Sequence, residues 1–454
     1  MKLQTVVLCA GKGTRMHTEK AKVMHELMGR PMLEYIYNLS VELTDEKPVF
    51  VVGHKKEQII NYFGDKAVYV DQEQQLGTGH AIMLAKDKLK DNCNVLITCG
   101  DTPLLRAATI KSIVDTVDDK TDAVIVSSFL DEPFGYGRIV KDDEGNFVKI
   151  VEQKDATVDE LSIKEVNSGI YFIKSDLIRK YIDKLSNDNS QKEYYLTDIF
   201  KLLRQDNYNI KTFRIKSQEI LGVNTRIQLE QARRTMQARI NQRHMEDGVT
   251  IINASDVYIE DTVEIGTDTI IYPGNYLSGN TKIGNNCILY PDNEIQNSVI
   301  GDNVTIKKSY IEQSTVNDAC QIGPYSHLRP EAKLDKNVKV GNFVEIKKAS
   351  LGEGTKANHL AYVGDGEVGK NVNIGCGVIF VNYDGKRKFK SIVKDNAFIG
   401  SNSNLVAPVT VEEKGYVATG STITEDVPAQ SLAVARARQV VKEGWTRKSK
   451  LLDK

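Results

Sequence analysis

The stretch from residue 259 to residue 295 reads IEDTVEIGTDTIIYPGNYLSGNTKIGNNCILYPDNEI. Six-residue aliphatic periods are typical of a parallel β-helix, in which each coil buries its aliphatic row against the coils above and below. This stretch therefore predicts a solenoid in the second half of the chain. The residues in the period are Ile259, Ile265, Ile271, Leu277, Ile283, Leu289 and Ile295.

The same period continues towards the C-terminus in two further registers. One holds Val316, Ile322, Leu328, Leu334, Val340 and Ile346, and the other holds Val393, Ile399, Leu405, Val411, Val417 and Ile423. Glycine often follows the aliphatic residue, and we expect these glycines to supply the permissive backbone that each corner of the coil needs. They are Gly266, Gly284, Gly301, Gly323, Gly341, Gly375 and Gly400.

Two breaks in the register indicate where the solenoid carries a site. The spacing from Ile346 to Val368 is 22 residues, interpreted as three repeats plus four, and the spacing from Phe380 to Val393 is 13, interpreted as two repeats plus one. The extra residues should leave the coil at residues 356–365 and at residues 382–390. Insertions in a solenoid tend to lie on its binding face. We therefore expect a site at these two segments.

The first half of the chain has a different pattern, in which short apolar runs alternate with amphipathic stretches. This alternation is typical of a mainly parallel sheet with helices on its faces. The strand-like runs cover residues 5–8, 48–52, 95–97 and 123–126, and the helical patterns cover residues 31–43, 77–89 and 107–117. We predict an α/β domain at residues 1–225, a helical linker at 226–247 ended by Gly248, and the β-helix with a C-terminal tail at 248–454.

Length and composition exclude several classes of protein. The 454 residues suffice for two to three domains without disulfide support. Sixty basic residues face 61 acidic residues, so the net charge of -1 gives no general attraction to nucleic acid or to an anionic membrane. No apolar stretch approaches the ~18 residues that a membrane span needs. Small-molecule ligands are therefore expected.

The cysteines bear on compartment and on metal binding. They show no C-x-x-C spacing, and Met1 leads into a strand-like segment rather than a secretory signal, which favours a reducing cytoplasm. No Cys-His cluster has zinc spacing, so any metal should be a hard cation held by oxygens, with magnesium the expected ion. The cysteines are Cys9, Cys93, Cys99, Cys287, Cys320 and Cys376.

A glycine-rich segment, residues 8–16 (LCAGKGTRM), follows the first strand-like run. Its backbone N–H groups and the cations Lys12 and Arg15 would form a cradle for phosphates where a helix begins. The segment lacks the GK[ST] ending of a Walker loop and the third glycine of the dinucleotide fingerprint. An ordinary strand-to-helix turn with solvated cations is the alternative.

Together with other motifs, this segment resembles the sugar-1-phosphate nucleotidylyltransferases. The other motifs are Pro31, Gln72 with residues 75–81 (QLGTGHA), Gly100-Asp101 and residues 135–138 (GYGR). With the hexapeptide solenoid behind them, the chain from Leu3 to about Trp445 resembles the bacterial bifunctional N-acetylglucosamine-1-phosphate uridylyltransferases/glucosamine-1-phosphate acetyltransferases. The resemblance implies a Rossmann-like nucleotidyltransferase domain followed by a left-handed parallel β-helix, in a homotrimer whose acetyltransferase sites lie between neighbouring solenoids.

The resemblance also assigns the N-terminal site. Asp101 follows the strand-like run 95–99, which agrees with the general rule that ligands bind at the carboxyl ends of strands in open α/β sheets. The alternative is that Asp101 only caps a helix before Pro103. Leu8, Ala10, Gly11, Lys12, Arg15 and Lys22 would hold the nucleotide and its phosphates, Gln72, Gly77 and Thr78 would read uracil, Gly137, Glu152 and Asn167 would hold the sugar, and Asp101 with Asn224 would bind Mg²⁺.

For the C-terminal site, acyl transfer to an amine requires a base that takes a proton near neutral pH, and histidine is the natural choice. By the resemblance, His359 is the proton acceptor and Glu345 orients it. Lys386 and Arg387 are interpreted as parts of a solvated basic hairpin. Arg329, Lys347, Tyr362, Asn373 and Lys388 would bind glucosamine 1-phosphate, and Cys376, Asn382, Tyr383, Ser401, Thr419 and Arg436 would line the acetyl-CoA groove.

The predicted function is therefore bifunctional. The chain would acetylate glucosamine 1-phosphate with acetyl-CoA and then couple the product to UTP with Mg²⁺, giving UDP-N-acetylglucosamine for cell-wall synthesis in the cytoplasm. One rival is a single-function sugar-1-phosphate nucleotidylyltransferase whose solenoid is structural or regulatory. His359 and Lys388 argue against it, because a structural coil needs neither a base nor phosphate-binding cations. The second rival, a non-catalytic scaffold, is opposed by Lys22, Asp101 and Asn224.

Overall fold

The computed structural model describes residues 2–118 and 120–448, so residues 449–454 of the expected tail lie outside the described residues. The chain forms two compact units, Met1–Met236 and Gln237–Lys454. The boundary falls within a helix, Arg226–Glu246, which lies at the predicted linker. Gly248 follows with a φ of 93°, a left-handed conformation that glycine adopts without steric cost.

The first unit contains a mainly parallel sheet, as predicted. Only Glu165–Lys174 runs antiparallel to both of its neighbours in the central order, and the hairpin Arg138–Lys141 with Phe147–Val151 branches from it among the described residues. The central order is Ile210–Arg214, Ala123–Phe129, Glu165–Lys174, Asn94–Cys99, Leu3–Leu8, Val49–Val52 and Val68–Asp71. A short separate hairpin pairs Glu26–Leu27 with Arg30–Pro31.

Hydrophobic clusters cover both faces of this sheet. Successive side chains of a strand point to opposite faces, so Val6 belongs to one cluster while Leu3 and Val7 belong to the other. Because both faces are covered, a ligand reaches the sheet at the ends of its strands. The α-helices of this unit before the boundary helix are Met32–Leu43, Lys56–Phe63, Thr78–Ala85, Ala107–Val114, Val158–Leu161, Ser175–Tyr181 and Asp198–Gln205.

The glycine-rich segment differs from its prediction. No α-helix begins there; the chain makes a three-residue 3₁₀ turn, Thr14–Met16, between Gly13 and His17, which are both left-handed. A left-handed residue on each side interrupts the helical hydrogen-bond pattern, so the turn cannot extend. The expected helix N-terminus behind the phosphate cradle is therefore absent from this segment.

The second unit is a parallel β-helix, which confirms the prediction from the six-residue period. Its strands stack in three parallel sheets, and each strand pairs with the equivalent strand one coil further on, as in Ile271 with Leu289. The first sheet contains Thr250–Ile251, Ile270–Ile271, Ile288–Leu289, Thr305–Ile306, Gln321–Ile322, Lys339–Asn342, Lys356–His359, Asn373–Ile374, Phe398–Ile399, Tyr416–Val417 and Leu432–Ala433.

The other two sheets form the remaining sides of the coil. The second contains Tyr258–Ile259, Tyr276–Ser278, Glu294–Gln296, Tyr310–Glu312, His327–Leu328, Glu345–Lys347, Tyr362–Gly364, Ile379–Val381, Asn404–Val406 and Thr422–Ile423. The third contains Glu264–Ile265, Lys282–Ile283, Val299–Ile300, Thr315–Val316, Lys333–Leu334, Ser350–Leu351, Gly366–Val368, Ser391–Val393 and Val409–Val411. A final helix covers Trp445–Lys448.

Six of the seven repeat glycines are required for a reason other than the predicted one. Of the seven named above, only Gly323 has a positive φ. The others lie where the next coil comes close: a Cβ on Gly341 would be 2.0 Å from the carbonyl oxygen of Asn358, a separation that no real Cβ adopts. The left-handed corner positions are filled instead by residues such as Asn286 and Asn303, because asparagine tolerates that conformation.

The first register break is not an insertion. Leu351, Ala357 and Val363 are buried strand residues between Ile346 and Val368, so the 22-residue spacing holds four steps of five or six residues. The interpretation as three repeats plus four was wrong, because two corners are each one residue shorter than the period. Residues 356–365 therefore stay within the coil and include two strands.

The second break is a true insertion, although a larger one than predicted. Phe380 and Val393 lie on consecutive sheets, so a single step covers all 13 residues between them. Residues 382–390 leave the coil here as predicted, and Tyr383 and Lys388 form an antiparallel bridge within them. This loop projects from the solenoid and brings Lys388 to its outer surface.

Candidate active sites

A cavity lies at the carboxyl ends of the strands Leu3–Leu8 and Asn94–Cys99, where the fold leaves the sheet accessible. The cavity brings together side chains and backbone that are far apart in the sequence. The predicted site residues that line it are Leu8, Ala10, Gly11, Lys22, Gln72, Gly77, Thr78 and Asp101. These eight predicted residues thus share one cavity.

The loop before the helix Thr78–Ala85 is held in one conformation. Gly77 has a φ of 106°, and a Cβ there would lie 2.5 Å from the carbonyl oxygen of Tyr194. The buried Gln72 donates from Nε2 to the carbonyl oxygen of Gly77 over 3.0 Å, and Thr78 Oγ1 accepts from the Leu196 backbone over 3.1 Å. These contacts fix the backbone at which the predicted base-reading residues lie.

Lys22, Asp101 and Asn224 form a compact polar cluster at the edge of this cavity. The Lys22 ammonium donates to the Asp101 carboxylate and, over 3.0 Å, to Asn224 Oδ1. The Lys22 and Asp101 side chains are only 13% and 15% exposed, and the Val223 backbone donates to the Asp101 carbonyl oxygen over 2.8 Å. Two hard oxygens therefore converge on one cation, which is the donor chemistry that Mg²⁺ requires.

The alternative role of Asp101 as a helix cap does not fit the structure. The next helix begins at Ala107 with Arg106 at its N-cap position, five residues beyond Asp101. Among the described residues, no group of three or more His, Cys, Asp or Glu side chains could hold a metal ion. A magnesium ion at Asp101 and Asn224 would take its remaining ligands from phosphate oxygens and water, as Mg²⁺ commonly does in proteins.

The residues predicted to hold the sugar also lie together. Asn167 donates from its backbone to the carbonyl oxygen of Gly137 over 2.9 Å, and a Cβ on Gly137 would lie 3.3 Å from Glu152 Oε2. Glu152 accepts a hydrogen bond from Thr197 over 3.4 Å, and burial raises the pKa of its carboxyl group. Glu152 also lines a second cavity, which extends towards Lys184 and Asp198.

Two predicted nucleotide residues stand apart from this cavity, and several lining residues were missed. Lys12 and Arg15 are exposed, and neither lines the cavity. Gln75 belongs to the quoted motif but had no assigned role. Glu193 carries no local signal, because only the fold brings it to the cavity. The lining residues that were not predicted are Cys9, Val23, Val51, Gln75, Ala81, Cys99 and Glu193.

On the solenoid, three cations with assigned phosphate-binding roles cluster together. Arg329 precedes Lys347 by one coil, since the strands His327–Leu328 and Glu345–Lys347 pair in register. The positive charges of Arg329 and Lys388 lower the pKa of the Lys347 ammonium. Like charges this close are unfavourable without an anion, so the arrangement suits a phosphate group.

Glu345 contacts this cluster rather than the predicted base. Arg329 donates from Nη1 to Glu345 Oε1 over 2.8 Å. No hydrogen bond among the described residues joins Glu345 to His359, so the expected orienting contact is not present. Arg329 therefore has one carboxylate partner, whereas no ion pair of the described residues includes Lys347 or Lys388.

His359 lies at the exposed end of the strand Lys356–His359 and not in a looped insertion. Pairing of this strand with Asn373–Ile374 places Cys376 one coil beyond His359. Ser401 and Thr419 follow at the equivalent position of the next two coils, and Arg436 donates to the Thr419 carbonyl oxygen over 2.9 Å. His359, the predicted base, thus forms one column along the solenoid with Cys376, Ser401 and Thr419 of the predicted acetyl-CoA groove, and Arg436 contacts this column at Thr419.

The remaining predicted residues lie on neighbouring coils. Asn382 donates from Nδ2 to Asp365 Oδ2 over 2.5 Å and to the Tyr362 hydroxyl oxygen over 3.4 Å. Tyr383 is 56% exposed on the inserted loop. Asn373 is half-buried in the strand Asn373–Ile374, and no hydrogen bond among the described residues joins its side chain to the cations. Asp365 was not predicted as a site residue, because its partner Asn382 is 17 residues away in the sequence.

Known proteins resemble this chain over both of its units. Residues 5–192 match the family described as the MobA-like NTP transferase domain. The "Bifunctional protein GlmU" of Clostridioides difficile (strain 630) is 49% identical over 455 residues, covering 100% of this chain and 99% of the relative. Those of Acetivibrio thermocellus and Listeria monocytogenes serotype 4b (strain CLIP80459) are 48% and 47% identical, covering 98% or more of each chain. With such identity along its whole length, the protein belongs to the bifunctional GlmU family, as the motifs and the solenoid predict.

Proposed function

We propose that this chain is a bifunctional enzyme of UDP-N-acetylglucosamine synthesis. It acetylates glucosamine 1-phosphate with acetyl-CoA and then couples N-acetylglucosamine 1-phosphate to UTP, releasing pyrophosphate. The observation that carries the proposal is that each unit has its own set of reactive and anion-binding groups. Lys22 and Asp101 serve the first unit, and His359 with the cations around Lys347 serves the second.

In uridylyl transfer, a phosphate oxygen of the sugar phosphate attacks the α-phosphate of UTP. The protein therefore needs positioning and positive charge rather than a covalent nucleophile. Gln72, Gly77 and Thr78 hold the base, and Lys22 neutralises phosphate charge. Asp101 and Asn224 would hold Mg²⁺, which supplies electrostatic stabilisation of the phosphates. Gly137, Glu152 and Asn167 orient the sugar.

In acetyl transfer, the amine of glucosamine 1-phosphate must lose a proton before it attacks the thioester. His359 accepts that proton at the exposed end of its strand. Arg329, Lys347 and Lys388 bind the phosphate of the same substrate. As the new amide bond forms and the thioester bond breaks, the nitrogen gives up a second proton to the departing sulfur, so coenzyme A leaves as a free thiol. The column of Cys376, Ser401 and Thr419 lines the path of the acyl donor.

The proposal also includes the oligomeric state and the cellular compartment of the enzyme. The acetyltransferase sites lie between neighbouring solenoids of a homotrimer, and the enzyme acts in the cytoplasm in cell-wall synthesis. A helix long and apolar enough to cross a membrane does not occur among the described residues. A single-function nucleotidylyltransferase is not favoured, because a structural solenoid has no use for a cluster of three cations of which only Arg329 has a carboxylate partner among the described residues.

The direct test is to supply the purified protein with glucosamine 1-phosphate, acetyl-CoA, UTP and magnesium, and to measure free thiol and pyrophosphate separately. The proposal expects thiol release that needs no UTP, and pyrophosphate release from N-acetylglucosamine 1-phosphate that needs no acetyl-CoA. Pyrophosphate release without any thiol release would support the single-function alternative instead.

The cationic cluster gives a further prediction. Replacing Lys388 by alanine should raise the KM for glucosamine 1-phosphate about 10-fold, because one charge-assisted contact to the phosphate is lost.

The parent enzyme should also bind this substrate less well at alkaline pH. The pKa of Lys347 is lowered, so Lys347 loses its charge at a lower pH than an ordinary lysine and the attraction to phosphate falls. Steady-state acetyl transfer measured across pH checks both expectations.

Lys386→Ala is the matched control, because Lys386 lies on the same inserted loop and is exposed. Its KM for glucosamine 1-phosphate should stay within about twofold of the parent value. Equal effects of the two substitutions would show that the loop contributes only general positive charge, and would contradict a specific phosphate contact at Lys388.

A further inference from the structure

Arg138 is a buried cation without a carboxylate partner. Its side chain belongs to the GYGR motif, yet the roles assigned above leave it unused. The residue is 2% exposed, and no ion pair of the described residues includes it. Its Nε atom is buried without a hydrogen-bond partner, and burial lowers the pKa of the guanidinium. A buried charge without a counter-ion is unfavourable for folding.

The hydrogen bonds of the Arg138 side chain hold a nearby backbone segment in place. Nη1 donates to the carbonyl oxygen of Tyr136, and Nη2 donates to Gln153 Oε1 over 3.0 Å. The same Gln153 oxygen accepts from the Gly135 backbone over 3.1 Å. Arg138 and Gln153 therefore hold the backbone of residues 135–137 from two points, and we call this pair the loop clamp.

The segment held by the loop clamp contacts both halves of the proposed reaction centre. On one side, Gly137 accepts from the Asn167 backbone over 2.9 Å and lies against the Glu152 carboxylate. On the other side, Tyr136 lies near the backbone of Gly222 and the Asp101 carboxylate, since both of them affect the pKa of its hydroxyl group. Gly222 lies two residues before Asn224, so the segment spans from the sugar residues to the predicted metal ligands.

We propose that Arg138 and Gln153 are positioning residues of uridylyl transfer, which hold residues 135–137 so that Gly137 and its neighbours can orient the sugar phosphate. The proposal rests on the uridylyltransferase function given above and names two residues to which that function assigns no role. Neither side chain lines either of the two cavities described above. A glycine-rich segment has little conformational preference of its own, so side-chain hydrogen bonds are needed to fix it.

The test compares Arg138→Met and Gln153→Leu with the parent in uridylyl transfer. Each substitution removes a contact of the loop clamp while keeping a side chain of similar length. The KM for N-acetylglucosamine 1-phosphate should rise about 10-fold or more, and the KM for UTP should change by less than about twofold, because the base-reading residues lie elsewhere in the unit. Gln153→Glu keeps an acceptor oxygen and should raise the KM for the sugar phosphate less than Gln153→Leu does.

Thermal melting separates positioning from a general structural role. Arg138→Met removes an unpaired buried charge, so its Tm should equal or exceed that of the parent while sugar binding is weakened. Arg138→Lys keeps the positive charge but lacks the planar guanidinium group that donates to both Tyr136 and Gln153. This variant should bind the sugar phosphate more weakly than the parent and should also have a lower Tm than the parent. Arg234→Met, on the exposed face of the boundary helix, is the control for loss of an arginine and should change neither KM.

Three outcomes would overturn the proposal. One is an unchanged KM for the sugar phosphate in a folded Arg138→Met protein. The second is an equal rise in both KM values. The third, decisive if Arg138→Met fails to fold, is an unchanged KM for the sugar phosphate in Gln153→Leu. Failure of the uridylyltransferase function itself would be seen separately, as absence of pyrophosphate release by the parent enzyme.

Discussion

Replacing Asp101 by alanine is expected to slow uridylyl transfer at least ~10²-fold, the scale of a lost electrostatic contact to reacting phosphates. The substitution removes the carboxylate that faces the Lys22 ammonium and would hold magnesium. The backbone contact from Val223 to the Asp101 carbonyl oxygen does not depend on the side chain, so the loop should keep its place. Pyrophosphate release at saturating UTP and sugar phosphate measures the effect.

Acetyl transfer provides the internal control, since its residues lie in the other unit, and it should be unchanged in the Asp101→Ala protein. Asp143→Ala, an exposed acidic residue of the first unit, should leave both activities at the parent level. The decisive condition is limiting magnesium. If the Asp101→Ala enzyme kept near-normal uridylyl transfer there, another group would have to hold the ion and the assignment of Asp101 would be wrong.

Replacing His359 by alanine is expected to reduce acetyl transfer by about 10²- to 10⁴-fold, the usual contribution of a positioned general base. The KM for glucosamine 1-phosphate should change little, because Arg329, Lys347 and Lys388 bind its phosphate. His359 is exposed at the end of its strand, so its removal deletes no buried contact and the Tm should stay at the parent value. Steady-state kinetics of both half-reactions and a thermal melt measure these expectations together.

Lys356→Ala is the matched control, because Lys356 is an exposed residue of the same strand, Lys356–His359. It should retain acetyl transfer, and both substitutions should leave uridylyl transfer unchanged. Acetyl transfer within about threefold of the parent in a His359→Ala protein that melts normally would refute the general-base role. A fall in both activities together with a lower Tm would indicate a structural histidine instead.

Periodicity predicted the architecture because it reports which side chains are buried. The row from Ile259 to Ile295 requires one aliphatic residue per side of each coil, and this constraint acts within a few residues. The spacing at the register breaks did not determine how many coil steps each break contains. The spacing from Ile346 to Val368 allows several divisions into steps, and only the position of Leu351 and Val363 in strands shows which division occurs.

The glycines show a second limit of local reasoning. A glycine in a repeat is equally expected from a left-handed backbone and from a close approach of another segment. Gly323 is left-handed and also lies against the Lys307 carbonyl oxygen, whereas Gly341 is not left-handed and makes room for the Asn358 carbonyl oxygen of the next coil. The sequence shows that a side chain is excluded there, but the excluding atom lies 17 residues further along the chain.

The sequence by itself determined the two-part organisation, the class of each unit, and the motifs that name the family, because these depend on local patterns and short spacings. The tertiary structure alone decided which groups act on one another. Lys22 meets Asp101 across 79 residues and Asn224 across 202, Glu345 pairs with Arg329 rather than His359, and the buried Arg138 side chain donates to Tyr136 and Gln153. Hydrogen bonds and ion pairs act over a few ångströms in space, so only the folded chain decides which of these groups meet.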